Sequence, residues 1–254
     1  MKGVLLDLDG VFYVEQQLID GGIDCLQWLN DRQIPYRFVT NNTTMCRKDL
    51  TAKLSRLGLE VDEKEIVSAN YAGVLLIDQR GFKRCRLVLR PAAKLDYPTN
   101  CLQKPDAIVI GDIGNRWGYN LLNELMNQVL EGAEIIALHK GRYHQGASGL
   151  LLDSGAFVAA LEHATGKQAL VVGKPNQTFF ELASNTFRCN PNELLMVGDD
   201  LINDIGGANQ LGMHTVLVQT GKYRKVLVEA SSIQPQGCIP SIKELPAYIQ
   251  NIII

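Results

Sequence analysis

The chain has 254 residues, of which 46% are hydrophobic and 20% charged, and a formal net charge of -2. This composition fits a globular protein with one large domain or a core carrying an inserted lobe, and the near-neutral charge gives nucleic acid or an anionic membrane no electrostatic footing. Six cysteines without a C-x-x-C pair argue against a disulfide scaffold or structural zinc and for a reducing compartment, so a cytoplasmic location is expected.

The predicted elements are short apolar runs that stop abruptly on polar residues or glycine. Gly3–Leu6 ends on Asp7, and Tyr36–Val39 ends on Thr40-Asn41-Asn42. Helical periodicity covers Ile23–Asp31 before that second run and Asp49–Leu57 after it, with Gly58 as the stop. From about Lys83 to Gly166 a second series follows, with apolar runs at Leu87–Leu89, Ala107–Ile110, Ile135–Leu138 and Leu150–Leu152. Helices are expected there at Tyr119–Leu130 and Ala156–Ala164. The loop Pro91–Pro105, with three prolines, is the least regular segment. Ala169–Val172 then ends on Gly173-Lys174, a helix spans Thr178–Phe187, Leu194–Val197 ends on Gly198-Asp199-Asp200, and Thr215–Val218 ends on Gln219-Thr220-Gly221. No run nears the roughly 20 apolar residues of a membrane span, and the terminal Ile252-Ile253-Ile254 is too short to anchor the chain.

Continuous apolar runs suit parallel strands buried on both faces. Alternating with helices, they predict an α/β fold: a doubly wound, Rossmann-like parallel sheet with a smaller inserted α/β domain. The expected division is residues 1–82 and 169–254 for the core and 83–168 for the insertion. In such a sheet the polar residues that end the core runs gather on one edge, where ligands bind.

Asp7-Leu8-Asp9-Gly10 puts two carboxylates on one turn at a strand end. One can attack phosphorus and the other can protonate the leaving oxygen and then activate water; a plain polar turn is the competing reading. Asp199, Asp200 and Asp204 form a second acidic cluster suited to a hard cation such as Mg²⁺, although a helix N-cap explains one of the three. Thr40, Asn41 and Asn42 offer a hydroxyl and amides at a helix start, as an anion site or as a cap. Lys174, at the end of a buried run, can neutralise an aspartyl or phosphoryl oxygen.

In this order, acidic pair, Thr/Asn, lysine and acidic cluster, the motifs resemble those of the haloacid dehalogenase superfamily of phosphatases over nearly the whole chain. The insertion between the second and third motifs resembles the α/β cap of subclass IIA, the N-acetylglucosamine-operon and p-nitrophenyl phosphatase type. Gly198–Gly207, His139–Tyr143, Gly155–Glu162 and Thr220–Tyr223 look most like phospholysine phosphohistidine inorganic pyrophosphate phosphatases and their relatives. Many superfamily members carry Thr directly after the D-x-D-G unit; this chain has Val11, as this subgroup often does.

The resemblance implies a Mg²⁺-dependent phosphatase with Asp7 as nucleophile and metal ligand. Asp9 is then the general acid/base and lends its backbone carbonyl to the metal, which Asp199 also binds, with Asp200 and Asp204 in support. Thr40, Asn41, Asn42 and Lys174 hold the phosphoryl group. Asp112, Tyr143 and His144 in the insertion are candidates for reading a small phosphorylated substrate, and the cap is a possible homodimer contact. The rival reading is a receiver-like module that accepts a phosphoryl group without rapid turnover. Asp9, placed to activate water, and the inserted lobe argue against it.

Overall fold

Residues 1–98, 100–146 and 149–253 are described in the computed structural model; Thr99 in the proline-rich loop and Ile254 at the terminus lie outside them. The first elements are β1 (Gly3–Asp7), β2 (Tyr13–Val14), β3 (Gln17–Leu18), α1 (Gly22–Asp31) and β4 (Tyr36–Thr40). Then come α2 (Arg47–Arg56), β5 (Ile66–Ser68), α3 (Ala69–Arg80), β6 (Cys85–Val88), β7 (Ala107–Ile110), α4 (Tyr119–Leu130) and β8 (Glu134–Ala137). The hairpin strands β9 (Tyr143–Gly146) and β10 (Gly149–Leu152) precede α5 (Ser154–Thr165), β11 (Leu170–Val171), α6 (Gln177–Asn185) and β12 (Leu194–Gly198). A π-helical segment, Leu201–Gly206, leads to α7 (Gly207–Asn209), β13 (His214–Val218), α8 (Lys225–Ala230), β14 (Gly237–Ile239) and α9 (Leu245–Ile253).

Two compact units result. One comprises Met1–Thr40, Leu50–Val67 and Lys174–Ile254; the other comprises Asn41–Asp49 and Ser68–Gly173. The first is built on a six-stranded sheet in the order β14-β13-β12-β1-β4-β5. β1 lies parallel between β4 and β12, and the parallel pairing continues through β13 to β14. Chain progression runs outward in one direction through β4 and in the other through β12, so the order reverses at β1. The carboxyl ends of β1 and β12 therefore flank the crevice where an α/β sheet binds ligands. Every residue of β1 and β12 is buried, as continuous apolar runs require.

The second unit has its own parallel sheet, β11-β8-β7-β6. Its core joins Ile108, Ile110 and Ile135 from the sheet to Leu125 and Val129 of α4 and Val158 and Leu161 of α5.

Three expectations need correction. Ala169–Val172 yields β11, which pairs with β8 in the second unit rather than joining the larger sheet. It is a two-residue, half-buried edge strand, and the backbone bonds of Val172 and Gly173 to Ala137 and Leu138 extend that pairing. The second unit also reaches beyond the expected 83–168, because α3 packs within it. Asn70 on α3 is fully buried, its Nδ2 donates to Ala93 O and Asp96 Oδ2 at 2.9 Å each, and its backbone carbonyl accepts from the Tyr97 hydroxyl. Leu150–Leu152 is not a buried strand but one arm of the β9–β10 hairpin, with all three side chains exposed. Length and apolarity do not separate a core strand from a hairpin arm, because both give a short run. Among the described residues no helix is long and apolar enough to cross a membrane.

The Asn70 bonds give a direct check on the α3 attachment. Asn70→Ala should cost about 1–3 kcal/mol, since it strands a buried carbonyl and a carboxylate together. Urea denaturation of the purified chain measures this, and an unchanged midpoint would remove Asn70 as the tie.

Candidate active site

Asp7 closes β1 and lies in register with Val39 on β4, so Thr40 is the next residue along the neighbouring strand. Both are buried. Lys174, 3% exposed, extends its ammonium to Asp7 Oδ1 and Asp204 Oδ1, each at 2.7 Å, and to Val39 O at 3.4 Å. Burial alone would lower the Lys174 pKa, but the charges of Asp204 and Asp7 outweigh it and keep the ammonium protonated.

The second acidic cluster divides into three roles. Asp200 is the cap: Oδ1 accepts from the backbone N–H of Ile202 and Asn203 at 3.1 and 2.9 Å, and Oδ2 accepts from Asn203 Nδ2 and Lys222 Nζ. Burial works against its ionisation, yet these bonds hold its pKa below the usual carboxylate range. Asp204 sits one turn further on, fully buried, with Oδ2 accepting from Asp200 N at 3.1 Å and Oδ1 held by Lys174. Gly198 lets it lie so close, because a Cβ there would overlap the Asp204 side chain. Asp199 is left for chemistry. Its Oδ2 accepts from the Lys222 backbone N–H at 2.7 Å, whereas Oδ1 is buried with no hydrogen-bond partner.

One oxygen each from Asp7, Asp199 and Asp204 lie within 4.8 Å of one another. An all-carboxylate donor set with an orphaned buried oxygen fits a hard divalent cation, and Mg²⁺ favours such oxygens while retaining waters. Both Asp204 oxygens already have protein partners, so Asp7 and Asp199 are the better direct ligands and Asp204 the support.

Six of the expected site residues lie together in the first unit. Asp7, Thr40, Lys174, Asp199, Asp200 and Asp204 share the carboxyl edge of the larger sheet. Asp9 is exposed on the turn after β1, outside the carboxylate cluster. Asn41 and Asn42 belong to the second unit, and Asn42 Oδ1 accepts from Thr44 N and Met45 N at 3.0 Å each, the turn-capping use. Asp112 follows β7, bonded to Gly114 N and paired with Arg90 at 2.6 Å. Tyr143 and His144 are exposed on β9.

Other residues contribute that no expectation gave a role. Thr220 donates its hydroxyl to Gly10 O, joining the turn after β1 to the loop after β13. Gly10 (φ 82°) and Gly221 (φ 56°) both crowd Asp199 Oδ2, which a Cβ at either position would overlap. Tyr13, 2% exposed, accepts a bond from Lys53 Nζ at 3.1 Å through its hydroxyl and forms a backbone β-bridge with Asp9. The string Thr220–Tyr223 is visible in the sequence, but its contacts form only when β1 and β13 share a sheet.

Two measurements follow from this charge arrangement. Lys174→Ala should cost about 3–5 kcal/mol at neutral pH, because it leaves two buried carboxylates without the cation they share; a loss below about 1 kcal/mol in chemical denaturation would contradict that sharing. Burial raises Asp199 to a pKa of about 6 despite the Lys222 N–H, and raises Asp204, with help from the Asp7 charge, to about 7 despite Lys174. Each binds its proton more tightly folded than unfolded, so metal-free protein should lose stability as the pH rises from roughly 4 to 7. The depressed Asp200 acts with the opposite sign, but only as the pH falls below roughly 4. Mg²⁺ should restore stability most at the upper end of the range, read as melting temperature against pH with and without chelator. Metal-free stability that climbs toward pH 8 would overturn the assignment.

A haloacid dehalogenase-like hydrolase family model matches residues 4–97, and a HAD-hydrolase-like model matches residues 171–245. The mouse haloacid dehalogenase-like hydrolase domain-containing protein 2 is 40% identical over 88% of this chain and 86% of its own length. The bovine phospholysine phosphohistidine inorganic pyrophosphate phosphatase is 34% identical over 96% of this chain and 92% of its own. The structure of the 4-nitrophenylphosphatase of Thermotoga maritima superposes with a TM-score of 0.87 at 26% identity, covering 97% of each chain. With Asp7, Lys174 and Asp199 gathered at the reversal point of a parallel sheet and relatives alike along most of their length, this chain belongs to the haloacid dehalogenase-like hydrolase family.

Proposed function

We propose that this chain is a Mg²⁺-dependent phosphatase of small phosphorylated metabolites that works through a covalent aspartyl-phosphate on Asp7. One observation carries this reading: a buried ammonium grips Asp7 by one oxygen beside Asp199, whose Oδ1 has no partner in the protein.

Asp7 and Asp199 would hold Mg²⁺, with the Asp9 carbonyl as a further donor. When bound, the ion neutralises phosphoryl charge as a Lewis acid. Lys174 fixes Oδ1 of Asp7, so the other carboxylate oxygen is the nucleophile. In the first step that oxygen forms a bond to phosphorus and the phosphorus–oxygen bond to the leaving group breaks, while Asp9 donates its proton to the departing oxygen. In the second step Asp9 takes a proton from water, the water oxygen bonds to the same phosphorus, and the acyl-phosphate bond breaks to return the Asp7 carboxylate and inorganic phosphate. Asp204 takes no part in bond making; it holds Lys174 from the far side.

Phosphate monoesters, pyrophosphate and phosphoramidates all present the group these residues handle. The names of the 4-nitrophenylphosphatase and of the phospholysine phosphohistidine inorganic pyrophosphate phosphatase point to the same range. Selection among them falls to the second unit, with Asp112, Tyr143 and His144 as its candidate readers.

A panel of phosphorylated metabolites, including pyrophosphate and phosphohistidine, assayed for phosphate release with and without Mg²⁺, tests the reaction. Asp7→Asn should abolish turnover, by about 10⁴-fold or more, while keeping the melting transition, because the amide cannot form the acyl phosphate. Near-normal turnover by that variant would sink the covalent route.

A further inference from the structure

The second unit carries a group of positive charges that the reaction above does not use. A cavity of about 190 Å³ is lined by residues of β6, the edge strand of the β11-β8-β7-β6 sheet. Leu87, Ile113 and Leu121 contribute an apolar wall. Three cations share the cavity with them: Arg86 from β6, Lys94 from the short turn Ala93–Asp96 and Arg116 from the turn Gly114–Arg116. Among the described residues no acid lines it.

Like charges gathered at a partly buried site repel, so the arrangement is costly unless counter-charge is supplied. The fold supplies only part. Arg86, with a side chain 13% exposed, pairs with Glu124 of α4 at 3.1 Å. Arg116 gives its Nε–H to the Ile113 carbonyl at 3.1 Å, a neutral acceptor that leaves the guanidinium charge in place. Lys94 is half-buried, and among the described residues its ammonium has no ion pair or hydrogen-bond acceptor. The adjoining Arg90 adds nothing, because Asp112 already takes its charge at 2.6 Å. Three positive charges against the one negative charge of Glu124 leave two unanswered. The repulsion is visible at Lys94, where burial, and then the charges of Arg116 and Arg86, lower the pKa.

We propose that this cavity binds a phosphate group, held by the guanidinium forks of Arg86 and Arg116 and the ammonium of Lys94. The charge left over selects the ligand. A phosphate dianion cancels two positive charges, whereas a single carboxylate leaves one behind. Two forks and an ammonium also match the several acceptor oxygens of a tetrahedral anion. The three cations and the wall all belong to the second unit, so the site is complete without Asp7, Lys174 or Asp199 and needs no metal ion. It stands or falls independently of the reaction proposed for Asp7.

Inorganic phosphate and the phosphate of a small metabolite share this chemistry, so both serve as probes. Isothermal titration calorimetry is run on the full chain with inorganic phosphate and with glucose 6-phosphate, in chelator and at fixed ionic strength. Chelator leaves Asp7, Asp199 and Asp204 with net negative charge, so the reaction site repels both probes. Each probe should bind once per chain, and acetate should not. Tighter binding of glucose 6-phosphate assigns the site to a metabolite, and tighter binding of phosphate assigns it to the free ion. Lys94→Met and Arg116→Met should each weaken binding by about tenfold or more, the loss expected of one charge-assisted hydrogen bond, while Lys94→Arg retains it. Without ligand neither Met variant should melt below the parent, since each removes a repelled charge; phosphate should raise the melting temperature of the parent alone. Binding that appears only with Mg²⁺, that acetate matches, or that both Met variants keep within about twofold would overturn the site. Lower melting of both variants without ligand would make the cations structural and overturn it too.

Discussion

The ammonium of Lys174, caught between Asp7 and Asp204 with almost no access to water, is the interaction on which the rest of the site depends. A buried ion pair seldom adds stability over well-packed apolar residues, but losing one partner is costly. Loss of the lysine strands two buried carboxylates, whereas loss of the Asp7 charge leaves the lysine its bond to Asp204. The cost of burying this trio is met by the surrounding hydrophobic sheet, where β1 and β12 are closed to solvent along their whole length. In exchange, the reacting carboxylate has one oxygen pinned and cannot rotate. In the proposed reaction the same charge would serve a phosphoryl group arriving beside Asp7.

Charge counting explains why the lysine cannot finish the task alone. Three carboxylates, Asp7, Asp199 and Asp204, meet within a few ångströms, and one ammonium offsets only one of them. Two negative charges remain when all are ionised, in a region that water does not screen. The protein's response is visible in the upward shifts of Asp7, Asp199 and Asp204, each led by burial. A divalent cation would cancel the remainder, and the unpartnered oxygen of Asp199 would give it a place to begin. Without such an ion a phosphate dianion would meet net repulsion at the point where it must be approached by a carboxylate.

Most of this edge could be read in the sequence, because buried parallel strands give continuous apolar runs that stop sharply. The residues at which they stop, Asp7, Thr40 and Asp199, are those the sheet presents to a ligand. Lys174 was legible for a related reason, although the strand before it belongs to the second unit: β11 is too short for its run to declare a sheet. The cap role of Asp200, as against Asp199 and Asp204, was open in the sequence, since three carboxylates in a row of six residues offer the same signal. Backbone geometry decides it, as the Asp200 carboxylate accepts from the N–H groups of Ile202 and Asn203 in the following turn. Tyr13 and Lys53 gave no signal. They lie 40 positions apart, and their link passes through a side-chain contact that no periodicity encodes.

The turn after β1 carries two acids in different surroundings, Asp7 buried and Asp9 exposed. Asp7 is ordered by burial and a full positive charge, which suits a nucleophile that must hold still while phosphorus moves onto it. Asp9, by contrast, is exposed on the turn. In the proposed reaction Asp9 gives up a proton and later takes one back, and a strong ion pair would favour one of those charge states over the other.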